Sequence, residues 1–291
     1  MTPAGAVTTA SQVPDCRLGV LAFGDSITNG GGELQCGVAL QSWALWVARA
    51  LGLPFTVYAT DGARVDDVVR RQIPAFAQTT ARSGSRYDLG CLYIGVNDVR
   101  APGWNAAAFE SELREGLGFL RAGCDRVLTL TAPLDLGRPR AGAKVHDLND
   151  AIEQAAAELG VLVVDLRPFR ARNHVMADHV HPTAFGQIAI AERALAVLQR
   201  DGMMAAVRPS SLIRFETTRR RRLRGDATYV YRHAKVSVRA WLAGGFPRGR
   251  EGTDVTSSRW TQRIDISSEI TRSGCARPPR SPRAGGGRER A

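Results

Sequence analysis

Two short segments of this chain carry residue types suited to nucleophilic chemistry. GDSI, at positions 24–27, directly follows an apolar run, so the Ser26 hydroxyl is expected at the end of a strand. DHVHP, at positions 178–182, has a carboxylate three residues before a histidine. That spacing lets Asp178 hold the imidazole Nδ1–H and leaves Nε2 free as a general base, which favours His181 over His179. The alternative for both segments is that their polar side chains only cap the helices that follow.

Two further loops carry groups that could stabilise a negatively charged oxygen. GVND, at positions 95–98, follows another apolar run, and the Asn97 amide there could donate to an oxyanion. DGA, at positions 61–63, contains Gly62, which allows close backbone approach and could offer its N–H. Either residue could instead be an ordinary turn residue. The four loops thus supply a nucleophile and a base with its carboxylate. They also supply three oxyanion donors, which are the Ser26 N–H, the Gly62 N–H and the Asn97 amide. These are the groups that acyl transfer requires.

Short apolar runs alternate with helical patterns through the first 204 residues, which predicts an α/β domain with a parallel sheet. The runs are rich in Val, Leu and Ile, as is typical of strands buried on both faces. The predicted strands are Leu18–Phe23, Phe55–Ala59, Leu89–Ile94, Arg126–Leu130 and Val161–Leu166, and the predicted helices are Leu40–Leu51, Val65–Ala77, Ala106–Leu120, Lys144–Leu159 and Ala184–Gln199. Ligands of such sheets bind at the carboxyl ends of the strands, where these four loops are expected to meet.

The four segments, taken in order, resemble the SGNH hydrolase superfamily, also called GDSL esterases and lipases. GDSI resembles the block with the nucleophilic serine, GVND the block with an oxyanion-binding asparagine, and DHVHP the DxxHP block. The resemblance covers residues 15–201 and implies a flavodoxin-like three-layer α/β/α sandwich with a five-stranded parallel sheet. It implies a catalytic Ser26, Asp178 and His181, and an oxyanion hole formed by Ser26, Gly62 and Asn97. No metal or organic cofactor is expected.

These residues predict a serine esterase that hydrolyses carboxylic esters with small to medium acyl groups through an acyl-enzyme. The partner is then a small-molecule ester. An acyltransferase is an alternative, because the same acyl-enzyme could pass its acyl group to a sugar or lipid hydroxyl. A non-catalytic binding module that presents a basic tail is an alternative of another class, although such a module has no need for all four segments.

Positive charge is concentrated in the last third of the chain. The net charge is +11, yet residues 1–204 carry 19 Lys+Arg against 21 Asp+Glu, while residues 205–291 carry 20 against 7. We therefore expect a flexible N-terminus (1–14), an SGNH-like domain (15–204), a basic extension (205–244) and a disordered tail (245–291). The extension is predicted to hold a short amphipathic helix, Asp226–Leu242, with Asp226 as its N-cap. Its charge could attract an anionic surface or an acidic partner, or the extension could be a solvated, dispensable segment.

Cysteine usage and hydropathy indicate the compartment. The five cysteines are an odd number, widely separated and without a CxxC pair, which argues against a disulfide framework and a zinc cluster. The first residues lack the basic and apolar regions of a secretory signal, and no apolar run reaches about eighteen residues. We therefore expect a cytoplasmic protein without a transmembrane segment.

Overall fold

The computed structural model describes residues 18–79, 86–171, 173–213 and 218–244, and five parallel strands form one sheet in this part of the chain. The strands are β1 (Val20–Gly24), β2 (Phe55–Val57), β3 (Tyr87–Tyr93), β4 (Cys124–Leu130) and β5 (Leu162–Val164). Each overlaps a predicted strand, with ends that differ by a few residues. The segments predicted to be flexible (1–14) and disordered (245–291) lie outside the described residues.

The order of the strands creates the place for a site. The order is β2-β1-β3-β4-β5, so the chain moves from β1 to one side, then returns past β1 and continues to the other side. This is the flavodoxin-like order, in which the reversal opens a crevice at the carboxyl ends of β1 and β3. Ser26 follows β1 and Asn97 follows β3, so both lie at this crevice. The predicted fold class is confirmed.

Helices cover both faces of the sheet. They are α1 (Trp43–Leu51), α2 (Val65–Asp67), a π-helical turn (Val68–Gln72), α3 (Ile73–Thr79), α4 (Ala106–Gly123), α5 (Lys144–Leu159), α6 (Ala184–Arg200), a 3₁₀ turn (Pro209–Leu212) and α7 (Arg219–Gly244). Right-handed crossovers running in opposite directions along a sheet place their helices on opposite faces. Accordingly α1 packs against α6, while α4 packs against α2 and α5, which completes the three layers.

Burial follows the position of each strand in the sheet. β1 and β3 are central and buried along their whole length. The expectation that every strand is buried on both faces is wrong for β2, whose Val57 is exposed, because β2 lies at the edge of the sheet. The predicted helix Val65–Ala77 is also not uniform, since the π-helical turn interrupts it and aims Gln72 into the core.

The helix of the basic extension is longer than the sequence pattern predicts. α7 begins at Arg219, so Asp226 lies inside the helix and is not its N-cap, which corrects the prediction. The preceding arginines continue the helix because arginine is a good helix former. None of the helices in the described ranges is long and apolar enough to cross a membrane.

Candidate active site

Ser26, His181 and Asp178 form a continuous chain of hydrogen bonds. Ser26 Oγ lies 2.9 Å from His181 Nε2, and His181 Nδ1 lies 2.7 Å from Asp178 Oδ2. The other carboxylate oxygen, Oδ1, accepts hydrogen bonds from the backbone N–H groups of Val180 and His181, at 3.0 and 3.1 Å. The carboxylate is therefore fixed within its own turn. Its bond to Nδ1 places the imidazole proton there and directs Nε2 to the serine.

The charged forms of His181 and Asp178 stabilise each other. The hydrogen bond to Asp178 raises the pKa of His181 above its usual value, against the opposing effect of burial, and the charge of Asp25 adds to the increase. Burial favours the neutral form of Asp178, but hydrogen bonds from His181 and from backbone N–H groups outweigh it and lower the pKa of this carboxyl. The pair is thus arranged to stabilise an imidazolium beside a carboxylate.

The turn that carries Ser26 needs the glycine before it. A Cβ on Gly24 would lie 2.4 Å from the backbone oxygen of Tyr93, so no larger residue fits where β1 ends beside β3. The buried Gln72 side chain accepts a hydrogen bond from the Gly24 N–H at 3.0 Å and donates to the Gly24 oxygen at 2.8 Å. Ser26 does not cap a helix, because the N-cap of α1 is Ser42. The capping alternative for GDSI is therefore wrong.

Asp25 is a buried carboxyl whose hydrogen bonds are incomplete. It is completely buried, and its Oδ1 accepts a hydrogen bond from the Ile27 N–H at 2.9 Å. Its Oδ2 has no hydrogen-bond partner among the residues that the structure describes. Burial raises the pKa of this carboxyl to about 7. Asp25 therefore titrates near neutral pH, one residue from the candidate nucleophile.

The loops with the candidate oxyanion donors are bonded to each other. Asn97 Nδ2 donates to the Ala63 oxygen at 3.0 Å, and the Val65 N–H donates to Asp98 Oδ1 at 3.1 Å. The Asn97 amide keeps a second N–H for another acceptor. Between these contacts Gly62 adopts a left-handed conformation, with φ of 76°, which favours glycine. The structure thus links Gly62 and Asn97 through Ala63.

The Ser26 loop is connected to the same assembly. Asn29 Nδ2 donates to Asp61 Oδ1 at 2.9 Å, which joins the loop after β1 to the loop after β2. Within the described part of the chain, neither the Ser26 N–H nor the Gly62 N–H makes a hydrogen bond. Both are therefore available as donors.

His179 has a different environment from its neighbour two residues on. Its Nδ1 lies 2.8 Å from Asp135 Oδ2, and its Nε2 lies 3.1 Å from Arg138 and 3.4 Å from Arg140. Burial lowers the pKa of His179, and the charge of Arg140 lowers it further. His179 therefore belongs to a separate cluster, and His181 is the histidine within reach of Ser26.

The helix that follows the DHVHP segment, α6, is not capped by that segment. The N-cap of α6 is Thr183, whose side chain accepts a hydrogen bond from the Gly186 N–H. Asp178 and His179 therefore do not cap α6. Another residue of this helix, the buried Gln187, donates to the backbone oxygens of Ile27 and Gly31 at 3.0 and 3.1 Å and so supports the loop after Ser26.

The residues that sequence reasoning missed are those that act over long range. Gln72 and Gln187 hold the Ser26 loop from the two opposite helical layers, and Asp135 and Arg138 surround His179. Glutamine inside a helical pattern reads as a surface residue, so no local signal marks these two. The excess of small and apolar neighbours around Gln187, in AFGQIAIA, is the one pattern that indicates burial at that point.

A hydroxyl, an imidazole and a carboxylate in series on an open parallel sheet are the arrangement with which serine hydrolases cleave esters, and the fold and site assign this chain to that class. Residues 22–188 match the model of the GDSL-like lipase/acylhydrolase family, a range that includes all five candidate site residues. The chain belongs to this family and is a serine ester hydrolase.

The chain is also similar to solved structures. The chain is 25% identical to a lipolytic protein of the G-D-S-L family from Veillonella parvula DSM 2008, with a TM-score of 0.51, over 62% of this chain and 98% of that one. An acetylxylan esterase from Geobacillus stearothermophilus is 21% identical, with a TM-score of 0.49, over 62% of this chain and 93% of the esterase. An extracellular lipase from Streptomyces rimosus is 22% identical, with a TM-score of 0.46, over 62% and 98% of the two chains. Comparison with curated protein sequences gives no significant match.

Proposed function

We propose that Ser26 cleaves carboxylic esters through an acyl-enzyme. Its Oγ attacks the ester carbonyl carbon while His181 Nε2 takes the hydroxyl proton, and the same Nε2–H then protonates the departing alkoxide. Water, deprotonated by His181, attacks the acyl-enzyme and releases the acid and the free serine. Asp178 holds the imidazole and stabilises its charged form. The unbroken hydrogen-bond chain between these three side chains is the observation that carries the proposal.

We propose that three N–H groups bind the oxygen that becomes negative during both steps. They are the backbone N–H groups of Ser26 and Gly62 and the side-chain amide of Asn97. The hydrogen bond from Asn97 to Ala63 supports this assignment, because it aligns the amide with the loop that carries Gly62. Removing one such donor typically lowers kcat by about 10²–10³-fold.

We propose that the acyl group is short. Ile27, Val180 and Pro182, which adjoin Ser26 and His181 in the chain, line a small apolar cavity together with Tyr93 and Pro133, and it has room for about one water-sized sphere. The residues that flank the nucleophile and the base are therefore closely packed and leave no room there for a long acyl chain, which supports acetyl and similar groups. A series of nitrophenyl esters from acetate to palmitate tests this: kcat/KM should fall as the chain lengthens, and a maximum at palmitate would contradict it.

The role of Ser26 is tested by covalent labelling. A fluorophosphonate should label the wild-type protein on Ser26, and Ser26→Ala should abolish both the label and ester hydrolysis. Ser42→Ala is the matched control, because Ser42 is also buried and its hydroxyl caps α1, so this variant should lose stability but keep the label. A label on another residue, or full activity in Ser26→Ala, would overturn the assignment.

We propose that the hydrolase domain spans residues 15–204 and that the basic region after it attaches the enzyme to an anionic surface. The family match to residues 22–188 and the charge difference between the two regions support this division. A cytoplasmic location is a further proposal. The free thiols of Cys36, Cys91 and Cys124 support it, because disulfides are rare in a reducing compartment.

A further inference from the structure

One face of α7 is attached to the loops around the candidate active site. Arg138 Nη2 lies 2.6 Å from His233 Nε2, and Arg138 Nη1 donates to Ser237 Oγ at 2.8 Å. Arg232, the residue directly before His233, forms an ion pair with Glu33. His233 and Ser237 lie one helical turn apart and so share one side of the helix, and Arg232 lies at the border of that side. We call this side, from Arg232 to Ser237, the inner face. The enzyme side of these contacts is the carboxyl edge of the sheet, since Arg138 also contacts His179 of the DHVHP segment.

A second face of α7 is apolar and exposed. Leu223, Val230 and Trp241 follow one another at separations of seven and eleven residues, close to whole numbers of helical turns, so they share one side of the helix. Val238 and Leu242 flank this row. All five side chains are more than half exposed. This apolar stripe borders the inner face on the side of Ser237, because Val230 lies seven residues before Ser237, and it extends along most of the helix.

A third face is basic. Arg224, Lys235 and Arg239 are separated by eleven and four residues, which again places them on one side of the helix, and all three are exposed. They lie between the apolar stripe and Arg232, which borders the inner face on its other side. α7 as a whole has eight basic residues and one acidic residue.

We propose that α7 lies in the surface of an anionic lipid membrane, with the apolar stripe in the interface and the basic stripe on the lipid headgroups. An apolar stripe bordered by Lys and Arg is the pattern of helices that bind in the plane of such a surface. The charge argues for this occupant. A second copy of the chain would bring an equally basic helix against the first, and a nucleic acid would leave the apolar stripe in water.

Because α7 is attached to the loops around the candidate active site, membrane binding by α7 would also position that site. The inner face is bonded to Arg138 and Glu33, at the edge of the sheet where Ser26 and His181 meet. A membrane that binds the outer faces therefore holds that edge close to the lipid. Ester substrates at the surface reach the enzyme there. The membrane binding itself does not depend on the proposed hydrolysis.

The test is binding of the full-length chain to sedimented vesicles of phosphatidylcholine, with and without phosphatidylglycerol. In the basic-stripe variant, Arg224, Lys235 and Arg239 are each changed to Gln. Each basic side chain near an anionic surface contributes about fivefold, so binding should weaken about a hundredfold. In the apolar-stripe variant, Leu223→Ser and Val230→Ser should weaken it at least about tenfold.

The matched control removes the same charge elsewhere. The control variant changes three arginines at the opposite, amino end of the sheet, where Arg126 pairs with Asp201. Its substitutions are Arg121→Gln, Arg126→Gln and Arg200→Gln. This triple variant should bind the vesicles within about twofold of the wild type, because charges beyond about 10 Å are screened. Ser26→Ala should bind normally, which separates this proposal from the proposed chemistry.

Three outcomes would overturn the proposal. Wild-type binding could be equal for vesicles with and without phosphatidylglycerol. The apolar-stripe variant could bind like the wild type, which would assign the attachment to charge alone. Sedimentation velocity could show that the apolar-stripe variant converts a dimer to a monomer without any change in vesicle binding, which would assign the stripe to a second copy.

Discussion

Replacing Asp178 by Asn should disable the enzyme by reversing the direction of one hydrogen bond. Asp178 Oδ1 accepts two backbone N–H groups, from Val180 and His181, so the Asn oxygen must stay in that position. The Asn NH₂ group then takes the place of Oδ2, 2.7 Å from His181 Nδ1. Because two N–H groups cannot face each other, the imidazole must carry its proton on Nε2. A protonated Nε2 cannot accept the proton of Ser26.

The expected loss is large. A wrong tautomer in an otherwise intact triad lowers kcat by about 10³–10⁴-fold, or about 4–5.5 kcal/mol of transition-state stabilisation. The pH profile gives a second measurement. The wild-type rate should fall as the pH drops through the pKa of His181, which lies above its ordinary value. The hydrogen bond to Asp178 causes most of that increase, so residual activity in Asp178→Asn should persist to lower pH.

The assay is hydrolysis of nitrophenyl acetate across a pH series, with circular dichroism to verify the fold. Asp135→Asn is the matched control, because Asp135 lies 2.8 Å from Nδ1 of the neighbouring His179 and makes the same type of contact. It should lower kcat/KM by less than about fivefold. The reasoning is refuted if Asp178→Asn stays within tenfold of the wild type, or if Asp135→Asn has the larger effect.

Two other substitutions test the support of the Ser26 loop. Gln72→Leu should lower the free energy of unfolding by about 1–3 kcal/mol, because it leaves the buried Gly24 N–H unbonded, while the Gly24 oxygen keeps only the hydrogen bond from the Thr60 N–H. Gln154→Leu, on the exposed side of α5, should cost less than about 0.5 kcal/mol in the same urea titration. Equal losses would contradict the argument. Because burial raises the pKa of Asp25 to about 7, the wild-type protein should lose stability as the pH rises from about 4 to 7, where only the unfolded chain has released this proton. Asp25→Asn should remove that dependence and gain up to about 4 kcal/mol relative to the wild type at about pH 8; a difference that does not vary with pH would show that the carboxyl is not desolvated.

The sequence predicts those structural features that depend on residues close together in the chain. The apolar runs that form β1 and β3 are buried on both faces, and their pattern identifies them directly. Asp178 and His181 are three residues apart, so their contact within one turn could be foreseen from spacing. The apolar run stops at Gly24, which predicts Ser26 just after the end of β1, where the structure has it.

Contacts between distant segments could not be predicted in this way. Gln72 reaches Gly24 across 48 residues, and only the three-dimensional fold determines that its amide bonds both backbone groups there. The sequence pattern predicts a start of α7 at Asp226, because a run of arginines has no apolar periodicity to mark it as helical. Its inner face forms only because Arg138, 95 residues before His233, supplies a partner. Helix length in this region is therefore set by tertiary contacts as well as by propensity.

The turn around Ser26 shows why local rules fail next to a functional group. A buried carboxyl with one oxygen that has no partner among the described residues destabilises the fold, yet Asp25 has this position one residue before the candidate nucleophile. Gly24 approaches Tyr93 so closely that no side chain fits, and a buried glutamine is needed to satisfy its backbone. Each feature is unfavourable by itself, and together they hold Ser26 at the crevice with its N–H unbonded. A fold optimised only for stability would replace them, so their presence in one turn indicates that geometry at Ser26 is maintained at the expense of stability.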